Sequence, residues 1–332
     1  MVSVMTNAEQ YRLLEKLANM VELQATPGDA ARIIKEVQAQ SLALSSYTQT
    51  VNEEAALSLH ETARKSLLSI ETLSKYRQFF EMRLHVSIEQ MSHAKGVVLS
   101  PHEEMYSKPT DWMTYIPVCA FESERAVFIS CIPEWECDIR VLLEGAETSE
   151  AIPRMNEFAE KKAFLVGECR KVYGLETPNP QIDPSEAIQL DYAQYNQYWE
   201  FKRKMYPAIY ELIEQDKQME EDYRKMVDER TSFCVIREDE IVSLATLEPI
   251  PNKPEGIVNL GISTLKDYRR NGNGEIACAA LINHYFQKGL RPIWQCEQNN
   301  TASQLLAEKL GFRCMGNVFD ISTLAVCWNN IV

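Results

Sequence analysis

The sequence predicts an α+β protein in which a mixed sheet flanked by helices, from about residue 185 onward, follows a mainly helical N-terminal part with a β-hairpin region. Three observations lead there. Residues 8–98 repeat apolar side chains at three- and four-residue spacing, the period of helices. Thr177-Pro178-Asn179-Pro180-Gln181-Ile182-Asp183-Pro184 is dense in proline, which biases its predecessor away from the helical region, and reads as a linker. Beyond it, short β-rich runs alternate with helical stretches. The expected division is therefore 1–180 and 185–332.

Taken in order, Ala8 to Leu17 opens the helical part and Pro27-Gly28-Asp29 breaks it, with Asp29 placed to cap a helix through Ile33, Val37 and Leu42. Segments over about 52–72 and from Thr72 through Met91 complete a small bundle. Met113–Phe121 and Arg125–Ile132, separated by Glu122-Ser123-Glu124, read as a hairpin; Asp138–Leu143 adds a strand, and a helix covers about 150–173. After the linker come a short strand at Ile188–Leu190 and a charged helical stretch from Tyr192 to Asp228, interrupted near Pro207. A hairpin of Phe233–Arg237 and Ile241–Leu247 follows, then a strand at Ile257–Thr264. A helix over Gly274–Lys288, a strand at Arg291–Cys296, a helix over Thr301–Lys309 and a closing strand at Phe319–Trp328 end the series.

Composition narrows the function classes. The 332 residues are 45% hydrophobic and 25% charged, the balance of a globular protein, and the net charge of −14 argues against nucleic acid as a partner. No signal peptide is visible at Met1–Asn7, and no apolar run approaches the roughly 20 residues of a membrane span. Nine cysteines, scattered and odd in number, read as buried free thiols rather than disulfides or a zinc site. A cytoplasmic protein without a metal is expected.

The most informative segment is Ile262 to Ala277, where a strand leads through Tyr268-Arg269-Arg270-Asn271-Gly272-Asn273-Gly274 into a helix of small residues. Such a turn aims backbone N–H groups at an anion, and glycine allows both close approach and positive φ. Arg269 and Arg270 place cationic donors beside it. The chemistry implied is diphosphate binding. Gly272-x-Gly274-x-x-Ala277, with Glu297 twenty residues further on, also fits a dinucleotide fingerprint, but the chain after Glu297 is too short for a Rossmann half. A plain connector turn is the third reading.

The stretch Arg269 to Gly274 resembles the R/Q-x-x-G-x-G/A turn of the GNAT superfamily of N-acetyltransferases. Asn300-Thr301-Ala302-Ser303, followed by Lys309-Leu310-Gly311-Phe312, is similar to that family's second signature. Leu290-Arg291-Pro292-Ile293-Trp294 resembles the L-x-P-x-W run of its zwittermicin-resistance-type branch. The resemblance covers Ile262–Phe312 strongly and reaches back to about 185. It implies acetyl-CoA as cofactor and an amine of a small molecule or peptide as acceptor. It further implies that Ile262, Ser263 and Thr264 pair with the pantetheine arm, and that Arg269, Arg270, Asn271, Gly272, Asn273, Gly274 and Glu275 hold the pyrophosphate. Asn300 and Ser303 would touch the arm nearer the thioester.

Two family positions depart from the pattern. Where many members carry an acidic tyrosine this chain has Ala307, and where the related branch carries a carboxylate it has Gly261. Glu248 and Glu297, at strand ends, are the replacements considered for the base, and Ser303 for the acid; each also fits a solvated or capping role. Cys296 and His284 read as buried or packing residues, and the acidic helix 211–229 as a solvated face or a lure for a cationic amine. The alternative to an enzyme is a weak or inactive GNAT-like regulatory protein. In either case residues 1–180 could serve a protein partner or self-association.

Overall fold

The computed structural model describes residues 74–102, 114–123, 125–161, 165–207, 217–248, 250 and 254–324. The helices expected over 8–73 and the segment 208–216 lie outside the described residues.

The architecture is one ten-stranded mixed sheet with helices on both faces. The strands are β1 (Gly96–Pro101), β2 (Thr114–Glu122), β3 (Ala126–Cys131), β4 (Val166–Leu175), β5 (Ala187–Gln189), β6 (Ser232–Arg237), β7 (Glu240–Glu248), β8 (Ile257–Thr264), β9 (Arg291–Glu297) and β10 (Phe312–Leu324). The helices are α1 (Arg77–Leu84), α2 (Ile88–His93), α3 (Glu136–Leu142), α4 (Thr148–Lys161), α5 (Tyr195–Met205), α6 (Lys217–Asp228), α7 (Asn273–Gln287) and α8 (Thr301–Lys309). Across the sheet the order is β1-β3-β2-β10-β4-β9-β8-β7-β6-β5. Among the described strands only β1–β3 and β8–β9 pair in parallel. The doubly wound parallel sheet that the dinucleotide reading needs is therefore not built here.

Four apolar clusters fill the space between sheet and helices, two on each face. On one face α1 and α2 cover Phe121, Phe128, Val172 and Val318, while α5 and α6 cover Cys234 and Leu244. On the other, α3 and α4 cover Val118, Ile129 and Phe319, while α7 and α8 cover Val235, Leu260, Trp294 and Phe312. Strands from both sides of residues 177–184 enter this one sheet, since β4 pairs with β9 and with β10. Tyr76 on the N-terminal side reinforces the join: its hydroxyl lies 3.0 Å from the carbonyls of Leu175 and Pro292 and accepts the Leu175 N–H at 2.6 Å.

Three local expectations are corrected. Asp138–Leu142 is helix, not strand, with Leu143 at its C-cap, because Trp135, Ile139 and Leu143 recur every four residues and all face the core, and Arg140 pairs with Glu136 one turn back. The helix expected over 150–173 ends at Lys161; from Val166 the chain is strand, with Val172, Tyr173 and Leu175 buried. Gly96–Pro101 is strand where the helical pattern was extended to 98: Gly96 sits at φ +76°, and Val97, Val98 and Leu99 suit a pleated surface.

Candidate active site

Strand β8 and strand β9 pair only from Ile257/Arg291 to Leu260/Trp294. Beyond that point β8 follows β7 as far as Thr264/Ser243, while β9 follows β4 as far as Glu297/Arg170. The sheet therefore opens into a gap whose apex lies at Leu260 and Trp294. From Gly261 onward β8 has β7 on one edge and, among the described residues, no strand on the other. Ile262, Ser263 and Thr264 all lie on this open lip. Their side chains are engaged elsewhere: Ser263 Oγ lies 2.9 Å from the Tyr206 hydroxyl, Thr264 Oγ1 lies 2.8 Å from Ser243 Oγ, and Ile262 packs with the α7–α8 cluster.

A single 3-10 turn, Lys266–Tyr268, joins this lip to α7. Arg269 donates from Nε to the carbonyl of Thr264 at 3.0 Å, and burial lowers its pKa. Arg270 and Gly272 both hold positive φ, +65° and +78°. Helix α7 starts on Gly272 with no side-chain cap, so the N–H groups of Asn273, Gly274 and Glu275 carry no capping oxygen. Asn273 instead uses its amide to donate to the Tyr268 carbonyl at 3.0 Å, which pins the turn. Asn271 is exposed at its tip. Gly274 lies against β8: a Cβ there would meet Thr264 Oγ1 at 3.3 Å and Ile262 Cγ1 at 3.6 Å. Glu275 turns outward to Lys309 at 2.6 Å.

Asn300 caps α8 by accepting the Ser303 N–H at 3.1 Å. Its own Nδ2 is buried without an acceptor. Ser303 Oγ accepts from the Trp294 indole at 2.9 Å and also contacts the Cys296 thiol. Ala307, where an acidic tyrosine was sought, is buried in the core. Cys296 is held as a thiol, its pKa raised to about 11 by burial, with Ser303 acting in the opposite direction. His284 packs against Phe233 and Tyr285 on α7.

The two carboxylates share the face opposite Ser303. Glu248 is 5% exposed, and among the described residues neither of its oxygens has a hydrogen-bond partner. Its register partner is Asn259, yet the side chain leans toward the gap and lies over Gly261, where a Cβ would fall 2.3 Å from Oε1. The carboxylate on β7 thus occupies the space above Gly261, the first β8 residue beyond the apex. Burial raises its pKa to about 8, against the pull of Lys202. Lys202 is fully buried, with Nζ 5.4 Å from the Tyr206 ring and 5.7 Å from that of Tyr198. Glu297 lies on the other lip, half-buried beside Arg170; burial and then Glu168 raise its pKa while Arg170 lowers it. Glu248 is brought to the apex, Glu297 is set further out, and Ser303 sits behind β9.

Lys202 and Tyr206 escaped the sequence reading. Tyr198, Lys202 and Tyr206 recur at four-residue spacing on an otherwise apolar face of α5, and that buried lysine was the available signal. Of the acidic helix, Glu220 pairs with Arg224 and Glu229 with Lys225, an exposed ladder remote from Glu248 in bonding; Glu211, Glu214 and Asp216 lie outside the described residues. Among the described residues no three His, Cys, Asp or Glu side chains form a metal-holding group, and no helix is long and apolar enough to cross a membrane.

The GNAT acetyltransferase family matches residues 200–318. No curated protein matches the chain. Solved structures that resemble it include a GNAT-family acetyltransferase from Colwellia psychrerythraea, 12% identical, covering 78% of this chain and 98% of that one at a TM-score of 0.44. A GCN5-related N-acetyltransferase-like protein from Streptococcus suis is 15% identical, with 75% and 99% covered and a TM-score of 0.39. AAC(6')-Iy, solved with the bisubstrate analogue CoA-S-monomethyl-acetylneamine, is 18% identical over 39% of this chain and 90% of its own, at 0.32. The stretch over which this chain resembles the GNAT acetyltransferase family, 200–318, is the one that holds the opened gap between β8 and β9.

Proposed function

We propose that the chain is an acetyl-CoA-dependent N-acetyltransferase acting on an amine of a small molecule or peptide. The observation that carries this reading is the opened sheet, with the unpartnered Glu248 carboxylate over Gly261 at its apex and the uncapped start of α7 alongside. The residues present fit the cofactor. The first-turn N–H groups at Asn273–Glu275 and the exposed Arg270 suit a pyrophosphate. The free edge of Gly261–Thr264 suits an extended amide-bearing arm, and the orphaned Asn300 Nδ2 is a donor for one of its carbonyls. When bound, acetyl-CoA supplies an activated thioester carbon.

The chain's own residues then have defined tasks. Glu248, buried and unpartnered, accepts the proton that the acceptor nitrogen gives up as its bond to the acetyl carbon forms. Lys202, boxed by Tyr198 and Tyr206, holds that carboxyl below the pKa that burial alone would set. Ser303, its oxygen accepting from Trp294, protonates the sulfur as the C–S bond breaks by turning its O–H away from the Cys296 thiol. The apex holds the reactants together, the largest part of the rate for a reactive thioester. The zwittermicin-resistance-type affinity of Leu290–Trp294 belongs to the same proposal.

Calorimetry with acetyl-CoA, CoA and NAD, joined to a thiol-release assay across an amine panel, tests it. Binding of acetyl-CoA with turnover of an amine is expected. Binding of NAD alone would sink the reading, and undiminished CoA affinity after replacing Gly272 and Gly274 together with leucine would remove the pyrophosphate cradle.

A further inference from the structure

Four buried oxygens surround the apex and have no donor among the described residues. They are both carboxylate oxygens of Glu248, Oδ1 of Asn259 and Oε1 of Gln295. Folded proteins leave few such groups unpaired, because desolvation without a partner costs stability. Here they gather on three neighbouring strands and on one face. Glu248 is cross-strand from Asn259, Asn259 from Ile293, and Gln295 stands two residues past Ile293. The last β8–β9 pair is Leu260 with Trp294, so Gly261 and Gln295 face each other across the opened gap. Asn259 marks the floor, the Glu248 carboxylate one lip and Gln295 the other. Two residues beyond Gln295 on the same face stands Glu297, partly offset by Arg170.

What Asn259 and Gln295 lack is an N–H or O–H donor, and Glu248 lacks a partner in either protonation state. We propose that the acceptor is a small aliphatic di- or polyamine whose reacting amine sits between Glu248 and Asn259 while its second amine lies on the β9 lip against Gln295 and Glu297. The inference deepens the acetyl-transfer reading of the same gap and rests on it. One strand across (about 4.8 Å) and two residues along (about 6.6 Å) combine to about 8 Å between the Asn259 and Gln295 positions, a span that an aminobutyl chain reaches once a hydrogen bond is added at each end. A peptide amine would instead bring a carbonyl acceptor toward lips that already hold unpaired acceptors.

The full-length protein with acetyl-CoA is assayed for thiol release with butylamine, 1,4-diaminobutane, spermidine and a peptide with a free N-terminus, and the same amines are titrated by calorimetry in the presence of CoA. The diamines are expected to exceed butylamine in kcat/KM by about tenfold or more, the value of one charge-assisted hydrogen bond. Gln295→Leu should bring that ratio toward one, and Gln295→Glu, which adds charge at the same point, should raise it. Equal handling of butylamine and diaminobutane, preference for the peptide, or a ratio indifferent to both Gln295 variants would overturn the proposal. If diamines bind more tightly than butylamine but none is acetylated, acetyl transfer fails while the two-lipped recognition stands. If diamines neither bind nor react better, the recognition fails whatever else the enzyme acetylates.

Discussion

Two carboxylates lie buried on the same face of the sheet, Asp320 on β10 and Glu248 on β7, and their fates are opposite. Asp320 is 2% exposed and Glu248 5%, so both lose their water. Asp320 bonds to both Arg83 and Arg170, and although burial pushes its pKa up, these two guanidinium groups bring it below the usual carboxylate value. Glu248 has no bonded partner and is pushed up to about 8. Burial acts alike on the two groups, and the partners decide the sign. A carboxylate fixed by two arginines holds the fold, whereas one left without a partner near neutral pH is free to exchange a proton.

That contrast can be broken from the Asp320 side first. Asp320→Ala leaves Arg83 and Arg170 charged and unanswered in the interior and is expected to cost about 3–5 kcal/mol in urea unfolding. A loss below about 1 kcal/mol, the range of an exposed pair, would mean the cluster is solvated in solution.

Glu248→Gln should do the reverse: lower kcat/KM about a hundredfold while leaving the fold intact or firmer. The folded carboxyl keeps its proton up to about pH 8, whereas the unfolded one releases it near 4.5. Between those values the folded state binds more protons, so the stability associated with this group declines as pH rises from about 4.5 to about 8. The variant lacks that decline. Its melting temperature is expected to match the wild type at pH 5 and exceed it at pH 9, and parallel curves at both would refute the buried-acid assignment. The kcat/KM profile of the wild type should also carry a limb near pH 8 that the variant has lost.

Gly261→Ala is the next smaller step. The new Cβ would fall 2.3 Å from Oε1 and 2.7 Å from Cγ of the buried Glu248 side chain, so the whole side chain must move, costing about 1–3 kcal/mol in urea unfolding and lowering kcat/KM about tenfold. Combining it with Glu248→Gln should add little, since both act on one group. The smallest effect belongs to Lys202→Met, which removes the cation opposing Glu248's raised pKa and should move the pH limb toward alkali. A limb that stays in place would show that Lys202 has no hold on the carboxyl.

The sequence carried the glycine turn, the strand–helix order from residue 187 onward and the hairpin β2–β3, because each is written in neighbouring residues. It did not carry the joining of β4 to β9 and β10, since pairing across long separations leaves no local period. The Arg83–Asp320 pair, 237 residues apart, is invisible for the same reason. Glu248 was legible only as a strand-end carboxylate. Its position became informative when the missing side chain at Gly261 was found beneath it, two strands contributing one site. Helix α3 was misread because four-residue spacing over so short a run can also be read as alternation.

Strand β10, the last of the described strands in chain order, lies between β2 and β4 in the middle of the sheet. During synthesis, then, β2 and β4 must wait with open edges until residues 312–324 leave the ribosome, and only then can the gap between β8 and β9 acquire a rigid wall on the β9 side. A nascent chain stalled before Phe312 would expose two ready-made templates for intermolecular pairing. For this protein the hazard in expression lies in loss of residues 312–324, a strand to which no chemistry is assigned.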